Sequence, residues 1–211
     1  YALFLLVGDK TANALGTAVQ TGHSTLAVNG KTVTCLPATG LSPAGVLLLV
    51  EQPDAFVVYK ALIEEKKCTP AGAQVYHTLR VEQSVPIFGN EFANEDTNPY
   101  EAGLKNHIDY DKGCYIGQEV IARLDTYDKV RYEFCQLAID GPATAVTPVP
   151  IMDGDKEVGV LTSSVPDPKN KTGALGLGLG RIRRKTLQQK NRFTVVSGEK
   201  AFDLTVLSST L

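Results

Sequence analysis

The sequence predicts an α+β protein in two parts: most of a split β-α-β (ferredoxin-like) unit, followed by a small antiparallel β-barrel. Three observations carry this. An apolar strand pattern over Tyr1–Val7 leads into helical spacing from Thr11. Asn29-Gly30 separates two short β-type runs, as a tight primed hairpin turn requires. From Arg131 onward, short alternating segments recur between Gly- and Pro-rich turns, the pattern of a small barrel or sandwich. The change of texture near Thr126 to Val130 divides the chain into residues 1–126 and 127–211.

Tyr1–Val7 reads as a buried strand, and Ala14, Leu15 and Ala18 place a helix over Thr11–Gln20. Thr25–Val28 and Thr32–Leu36 form the hairpin, and Gly45–Val50 adds a buried strand. Pro53 opens a helix whose inward stripe is Phe56, Tyr59, Leu62 and Ile63. Thr69-Pro70 starts another, with Val75, Leu79 and Glu82 on one face; the rival reading makes Thr78–Glu82 a strand. Asn94–Pro99 is a polar connection. A short helix at Tyr100–Leu104, a strand at Ile108–Tyr110 and a helix over Ile116–Leu124 follow, the last with Ile116, Val120 and Leu124 on one face. Barrel strands are expected at Arg131–Ile139, Glu157–Thr162, Ala174–Ile182, Phe193–Ser197 and Phe202–Leu207.

Composition narrows the function. With 21 basic and 23 acidic side chains the net charge is −2, which excludes a general basic coat for nucleic acid. The apolar run Ala2–Val7 falls far short of the roughly 20 residues of a membrane-spanning helix. The chain opens at Tyr1 inside a strand, so a longer protein is expected upstream. Cys35, Cys68, Cys114 and Cys135, like His23, His77 and His107, lack metal-ligand spacing, and no metal site is expected. Free thiols suit a reducing cytoplasm.

Gly173, Gly176, Gly178 and Gly180 do not form a dinucleotide fingerprint, because Arg181 or Arg183 falls where the third glycine belongs. They read as packing positions in a barrel strand. Arg181, Arg183, Arg184, Lys185, Lys190 and Arg192 make a basic cluster, read as a solvated strand end and turn, with phosphate or a polyglutamate tail as the alternative.

Lys112-Gly-Cys-Tyr-Ile-Gly-Gln-Glu119 is the informative segment. Gly113 frees the backbone before Cys114, and a helix starting near Ile116 would aim N–H groups and its positive pole at the thiol, with Lys112 and Arg123 adding positive potential. Cys114 is therefore the candidate catalytic residue, against the alternative of a buried cysteine in a tight turn. Glu119 and Arg123 are spaced for a surface i,i+4 ion pair.

That run, with Pro99-x-Glu-Ala-Gly-Leu104 before it and Ala122-Arg123 after it, resembles the signature of the YgfZ-like branch of the folate-binding family that includes the glycine-cleavage T protein, an aminomethyltransferase. Leu79-Arg-Val-Glu82 with Pro86-x-x-Gly89-x-Glu91 is similar to the family's upstream stretch, and Glu157–Ser163 to its C-terminal barrel. The resemblance implies tetrahydrofolate or a derivative as cofactor and Glu82 as the carboxylate that meets the pterin. It also places Tyr100, Lys112, Tyr115, Gln118 and Arg123 at the cofactor site. It implies that Cys114 supports iron–sulfur cluster assembly, with iron–sulfur proteins or a lipoyl carrier as partners. The alternatives are an aminomethyltransferase proper and a folate-free protein-interaction scaffold. Ser84 and Asp128 stand where the family has glycine, so the local turns are expected to differ, and the aspartate used by aminomethyltransferases lies upstream of Tyr1.

Overall fold

In the computed structural model, residues 1–16, 22–38, 40–42, 44–93, 97–127, 129–141, 147–167 and 175–209 are described. They fall into two compact units, Tyr1–Gln83 and Ser84–Leu211.

The first unit is a four-stranded antiparallel, ferredoxin-like sheet carrying helices. Its strands are β1 (Ala2–Leu6), β2 (Ser24–Val28), β3 (Lys31–Pro37) and β4 (Val46–Val50), in the order β1-β4-β3-β2. The β2–β3 turn has the two positive φ angles that its sequence requires, 47° at Asn29 and 74° at Gly30. Helix α1 (Thr11–Leu15) is shorter than the spacing suggests, because Gly16 adopts a left-handed cap at φ 74°. Ala18, expected on that helix, lies outside the described residues.

Helix α2 (Ala55–Glu64) follows a single 3-10 turn over Gln52–Asp54. It buries Val58, Ala61 and Leu62 rather than the stripe expected from Phe56 and Tyr59. Small and branched side chains let the helix lie close to the sheet. The aromatics flank it instead: Phe56 is exposed, and Tyr59 stacks on Phe4 with ring centroids 6.1 Å apart. The core gathers Leu6, Val28, Val33, Cys35, Leu48 and Val50 beneath α2. Helix α3 (Ala73–Glu82) closes the unit, so the strand alternative for Thr78–Glu82 is overturned. It buries Arg80 and Val81, while Val75 is exposed.

The second unit is a closed barrel with a long lead-in segment. Strands β5 (Tyr132–Asp140), β6 (Val149–Asp153), β7 (Lys156–Pro166), β8 (Gly176–Arg183), β9 (Arg192–Ser197) and β10 (Lys200–Ser209) close in the order β10-β5-β8-β7-β6-β9. Five were expected. Strand β6 is hidden in the sequence because Pro148 and Gly154 flank it and Pro150 lies within it, yet Ile151 and Met152 pair with Val195 and Thr194. The glycine–leucine strand is a packing device: a Cβ on Gly180 would lie 2.5 Å from the Val160 carbonyl oxygen, and one on Gly178 2.6 Å from Leu161 Cδ1. Gly173 lies outside the described residues.

The lead-in segment is tied to the barrel by buried carboxylates. Glu91 accepts from the Ile87 amide at 2.9 Å, from Thr162 Oγ1 at 3.1 Å and from Ser163 Oγ at 2.6 Å. Glu101 Oε1 accepts from the backbone amides of Arg131 and Tyr132 at 2.9 and 3.2 Å. These bonds explain why the compact units divide at Gln83 while the sequence texture changes near Thr126, where the strands begin. Residues 94–96 and Asp128 lie outside the described residues.

Candidate functional site

The signature segment begins with a frame. Asn98 Oδ1 accepts the Glu101 amide at 3.1 Å, and Gly103 turns the chain at φ 74° against the buried Phe134 ring. The expected helix at Tyr100–Leu104 is a set of hydrogen-bonded turns, and the expected strand at Ile108–Tyr110 is absent. Its place is preceded by a 3-10 turn over Lys105–His107.

Tyr100, assigned to the cofactor by resemblance, is 2% exposed. Its hydroxyl hydrogen-bonds the Tyr110 hydroxyl and reaches Asp125 Oδ1 at 3.2 Å. Burial, and then the bond to Tyr110, push its pKa upward, so it is a neutral phenol. Lys105 Nζ lies 5.7 Å from its ring centroid.

Beyond this frame the segment opens to solvent. Asp109 Oδ1 accepts the amides of Asp111 and Lys112 at 3.0 and 3.1 Å, setting a tight turn before Gly113. Cys114 is exposed, in contrast to buried Cys35 and Cys135 and half-buried Cys68. The tight-turn alternative of a sealed thiol does not hold. Lys112 Nζ sits 5.3 Å from the Tyr115 ring centroid, and the Gln118 amide donates to the Tyr115 carbonyl at 3.3 Å.

Helix α4 (Gln118–Thr126) starts two residues later than expected, after Gly117 at φ 91°. None of its residues is buried. The apolar face read from Ile116, Val120 and Leu124 does not pack inward: Ile116 is fully exposed and Val120 59% exposed. Arg123 Nη2 pairs with Glu119 Oε1 at 2.5 Å, as the i,i+4 spacing predicts.

In the first unit, Glu82 is half-buried at the end of α3. Arg80 beside it is fully buried, its Nε donating to His77 Nδ1 at 3.1 Å. The same unit holds a hollow of about 1000 Å³ lined by β1, Tyr59, Leu62, Tyr76 and Leu79, with Lys10, Lys66, Lys67 and Cys68 at its walls. Leu79 and Glu82 are three residues apart on one helix, hence on adjoining parts of one face. Burial raises the pKa of Cys68.

The structure thus brings Tyr100, Lys112, Cys114, Tyr115, Gln118 and Arg123 into one unit and sets Glu82 in the other. Sequence reasoning missed Tyr110 and Asp125, the partners of Tyr100; no spacing rule links a tyrosine to a second tyrosine 10 residues on and a helix aspartate 25 residues on. The basic cluster is largely engaged. Arg184 Nε lies 3.4 Å from Glu133, Arg181 and Arg183 lie against the Tyr132 ring, Arg181 also bonds Thr97, and Lys190 meets Asp153. Among the described residues no group of three His, Cys, Asp or Glu side chains could hold a metal, and no helix is long and apolar enough to cross a membrane.

A ferredoxin-like unit, a six-stranded barrel and a Lys-Gly-Cys-Tyr-x-Gly-Gln-Glu loop between them in sequence define a class, and comparison with known proteins agrees. No family model matches the chain. A chloroplastic protein of Arabidopsis thaliana, named as a putative transferase, is 33% identical over 202 residues, which are 92% of this chain and 45% of that protein. Aminomethyltransferases of Halothermothrix orenii and Saccharopolyspora erythraea are 28% and 31% identical, over 74% and 80% of this chain and 43% and 49% of their own length. The crystal structure of the glycine cleavage system aminomethyltransferase T from Bartonella henselae superposes on 98% of the chain and 58% of its own, with a TM-score of 0.77 at 15% identity, which establishes the shared fold. The chain belongs to the family of YgfZ-like proteins and glycine-cleavage T proteins. It spans about half the length of the curated relatives it matches.

Proposed function

We propose that this chain is part of a tetrahydrofolate-binding protein of the YgfZ-like branch, in which Glu82 anchors the pterin and the Cys114 thiol supports iron–sulfur enzymes. The observation that carries the reading is the family signature with its cysteine alone set on an exposed loop. Lys112, Tyr115, Gln118 and Arg123 surround that thiol in sequence and are assigned with it to the functional surface. A reduced folate suits the first unit: the hollow supplies apolar and aromatic walls, and Glu82, which is not on those walls but lies one turn along α3 from the lining Leu79, offers a carboxylate for the adjacent N–H donors of an aminopterin edge. Bound there, the cofactor would supply one-carbon carrier chemistry. The four free thiols suit a reducing compartment, the cytoplasm in the simplest case, although one relative is chloroplastic.

The test has two arms in the full-length protein. Reduced folate at a hundred times its dissociation constant should stabilise the fold by about 2.7 kcal/mol, and Glu82→Ala should abolish that gain. No stabilisation would leave a folate-free scaffold. Cys114→Ala should lower iron–sulfur enzyme activity in cells while folate binding persists; unchanged activity would remove the thiol from the function.

The names of the aminomethyltransferase relatives support a second reading, transfer of a one-carbon unit from a lipoyl-bound aminomethyl group to tetrahydrofolate. Full-length protein supplied with both substrates should then release ammonia. No turnover above background eliminates this reading.

A further inference from the structure

We propose that the Tyr100 hydroxyl is a positioning group that holds the Cys114 loop by bridging its entry to the end of α4. Its partner Tyr110 stands at the start of the exposed loop and Asp125 in the last turn of the helix, so one buried phenol ties the two ends of residues 110–125. Among the described residues, the segment between has few other long-range contacts to fix it. Its other contacts are local: the Asp111 and Lys112 amides donate to Asp109 Oδ1, the Gln118 amide donates to the Tyr115 carbonyl, Lys112 lies over the Tyr115 ring and Arg123 pairs with Glu119, while α4 buries no residue of its own. A segment without a buried face opens easily unless something at its ends restrains it. Tyr100 is suited to that task because its ring is sealed inside while its single hydroxyl emerges between two groups that are themselves exposed. Phenylalanine would keep the packing and lose the bridge.

The role matters for function only if Cys114 is the working thiol, and so rests on the preceding reading; the geometry can be tested without it. In the full chain, with Cys68→Ser to limit labelling to Cys114, a nitroxide on Cys114 should give sharper lines in Tyr100→Phe than in the parent. Amide exchange over residues 111–126 should rise about tenfold, the scale of a lost hydrogen bond or two. Exchange in β5 and β8 should stay within about twofold. Asp125→Asn keeps an oxygen acceptor and should behave as the parent, whereas Asp125→Ala should loosen α4. Tyr110→Phe, at a half-exposed position, should loosen the loop even if the Tyr100 variant folds poorly. Unchanged spectra and exchange in Tyr100→Phe and Tyr110→Phe would overturn the proposal, as would exchange rising equally through the barrel, which would make Tyr100 a packing residue. If Cys114→Ala proves silent in cells while these variants loosen the loop, the functional reading falls and the bridge stands.

Discussion

Gly103→Ala is the sharpest test of how the signature is built. Two independent effects oppose a side chain at this position. The backbone sits at φ 74°, where an L-residue with a Cβ is disfavoured by about 1–2 kcal/mol. An added Cβ would also lie 2.5 Å from Phe134 Cδ1, 2.9 Å from Cγ and 3.0 Å from Cε1. Phe134 cannot swing away as a surface side chain would, since its ring is buried within the barrel unit, and overpacking of this kind costs about 1–3 kcal/mol. Reduced freedom of the unfolded chain returns about 0.5 kcal/mol. The net expectation is destabilisation by about 2–4 kcal/mol, read as a lower urea midpoint with an unchanged slope. Pairing the change with Phe134→Leu removes the clash and leaves the φ strain, so the double variant should recover part of the loss relative to additivity. A single-variant effect below about 1 kcal/mol would refute the argument, because neither the left-handed backbone nor the ring contact would then be real.

Four further outcomes follow from other positions. Ser84 holds φ 57°, so Ser84→Gly should stabilise the protein by about 1 kcal/mol in thermal unfolding. Glu91→Ala removes the carboxylate that accepts from the Ile87 amide and from the Thr162 and Ser163 hydroxyls, although Thr162 keeps the Leu179 carbonyl at 3.0 Å, and should cost about 2 kcal/mol or more, whereas Glu91→Gln should retain part of the bonding. Burial pushes the Cys135 thiol from 9.0 up to about 12. Between those values the unfolded chain releases this proton while the folded chain keeps it. Stability therefore falls as pH rises through the window, and Cys135→Ala should flatten the fall by about 1.4 kcal/mol per pH unit. The exposed Glu119–Arg123 pair should contribute about 0.5 kcal/mol or less, disappearing in salt.

How much was legible in the sequence depended on whether a signal was local. Asn29-Gly30 announced its hairpin because the required φ angles are a property of two residues. Gly178 and Gly180 were correctly read as packing positions because the alternating leucines imposed a strand. The Glu119–Arg123 pair depended only on helical spacing. Failures occurred where tertiary packing overrode periodicity. The helix carrying Phe56 and Tyr59 turned its smaller residues inward, since close approach to the sheet favours Val58 and Ala61 over aromatic bulk. The apolar spacing of Ile116 and Val120 marked no core at all. Strand β6 was hidden by its own prolines, although one sits where the ladder tolerates it and the neighbouring Ile151 is fully buried.

The resemblance itself divides along the same physical line. Its first half, buried Tyr100 and Glu101 and half-buried Gly103, is bonded or packed within the unit: a bridging phenol, a carboxylate that accepts the Arg131 and Tyr132 amides where β5 begins, and a glycine shaped to Phe134. Such residues would be needed to hold this fold whatever it binds. The second half, Lys112 to Glu119, is mostly exposed or half-exposed and has no comparable structural task. The two halves should therefore separate by experiment: substitutions in the first move stability, while Cys114→Ala and Lys112→Ala leave the unfolding midpoint within about 0.5 kcal/mol of the parent and act, if at all, on function. A large stability loss from either exposed substitution would mean that the loop is part of the frame, and the case for a functional thiol would then lose its physical basis.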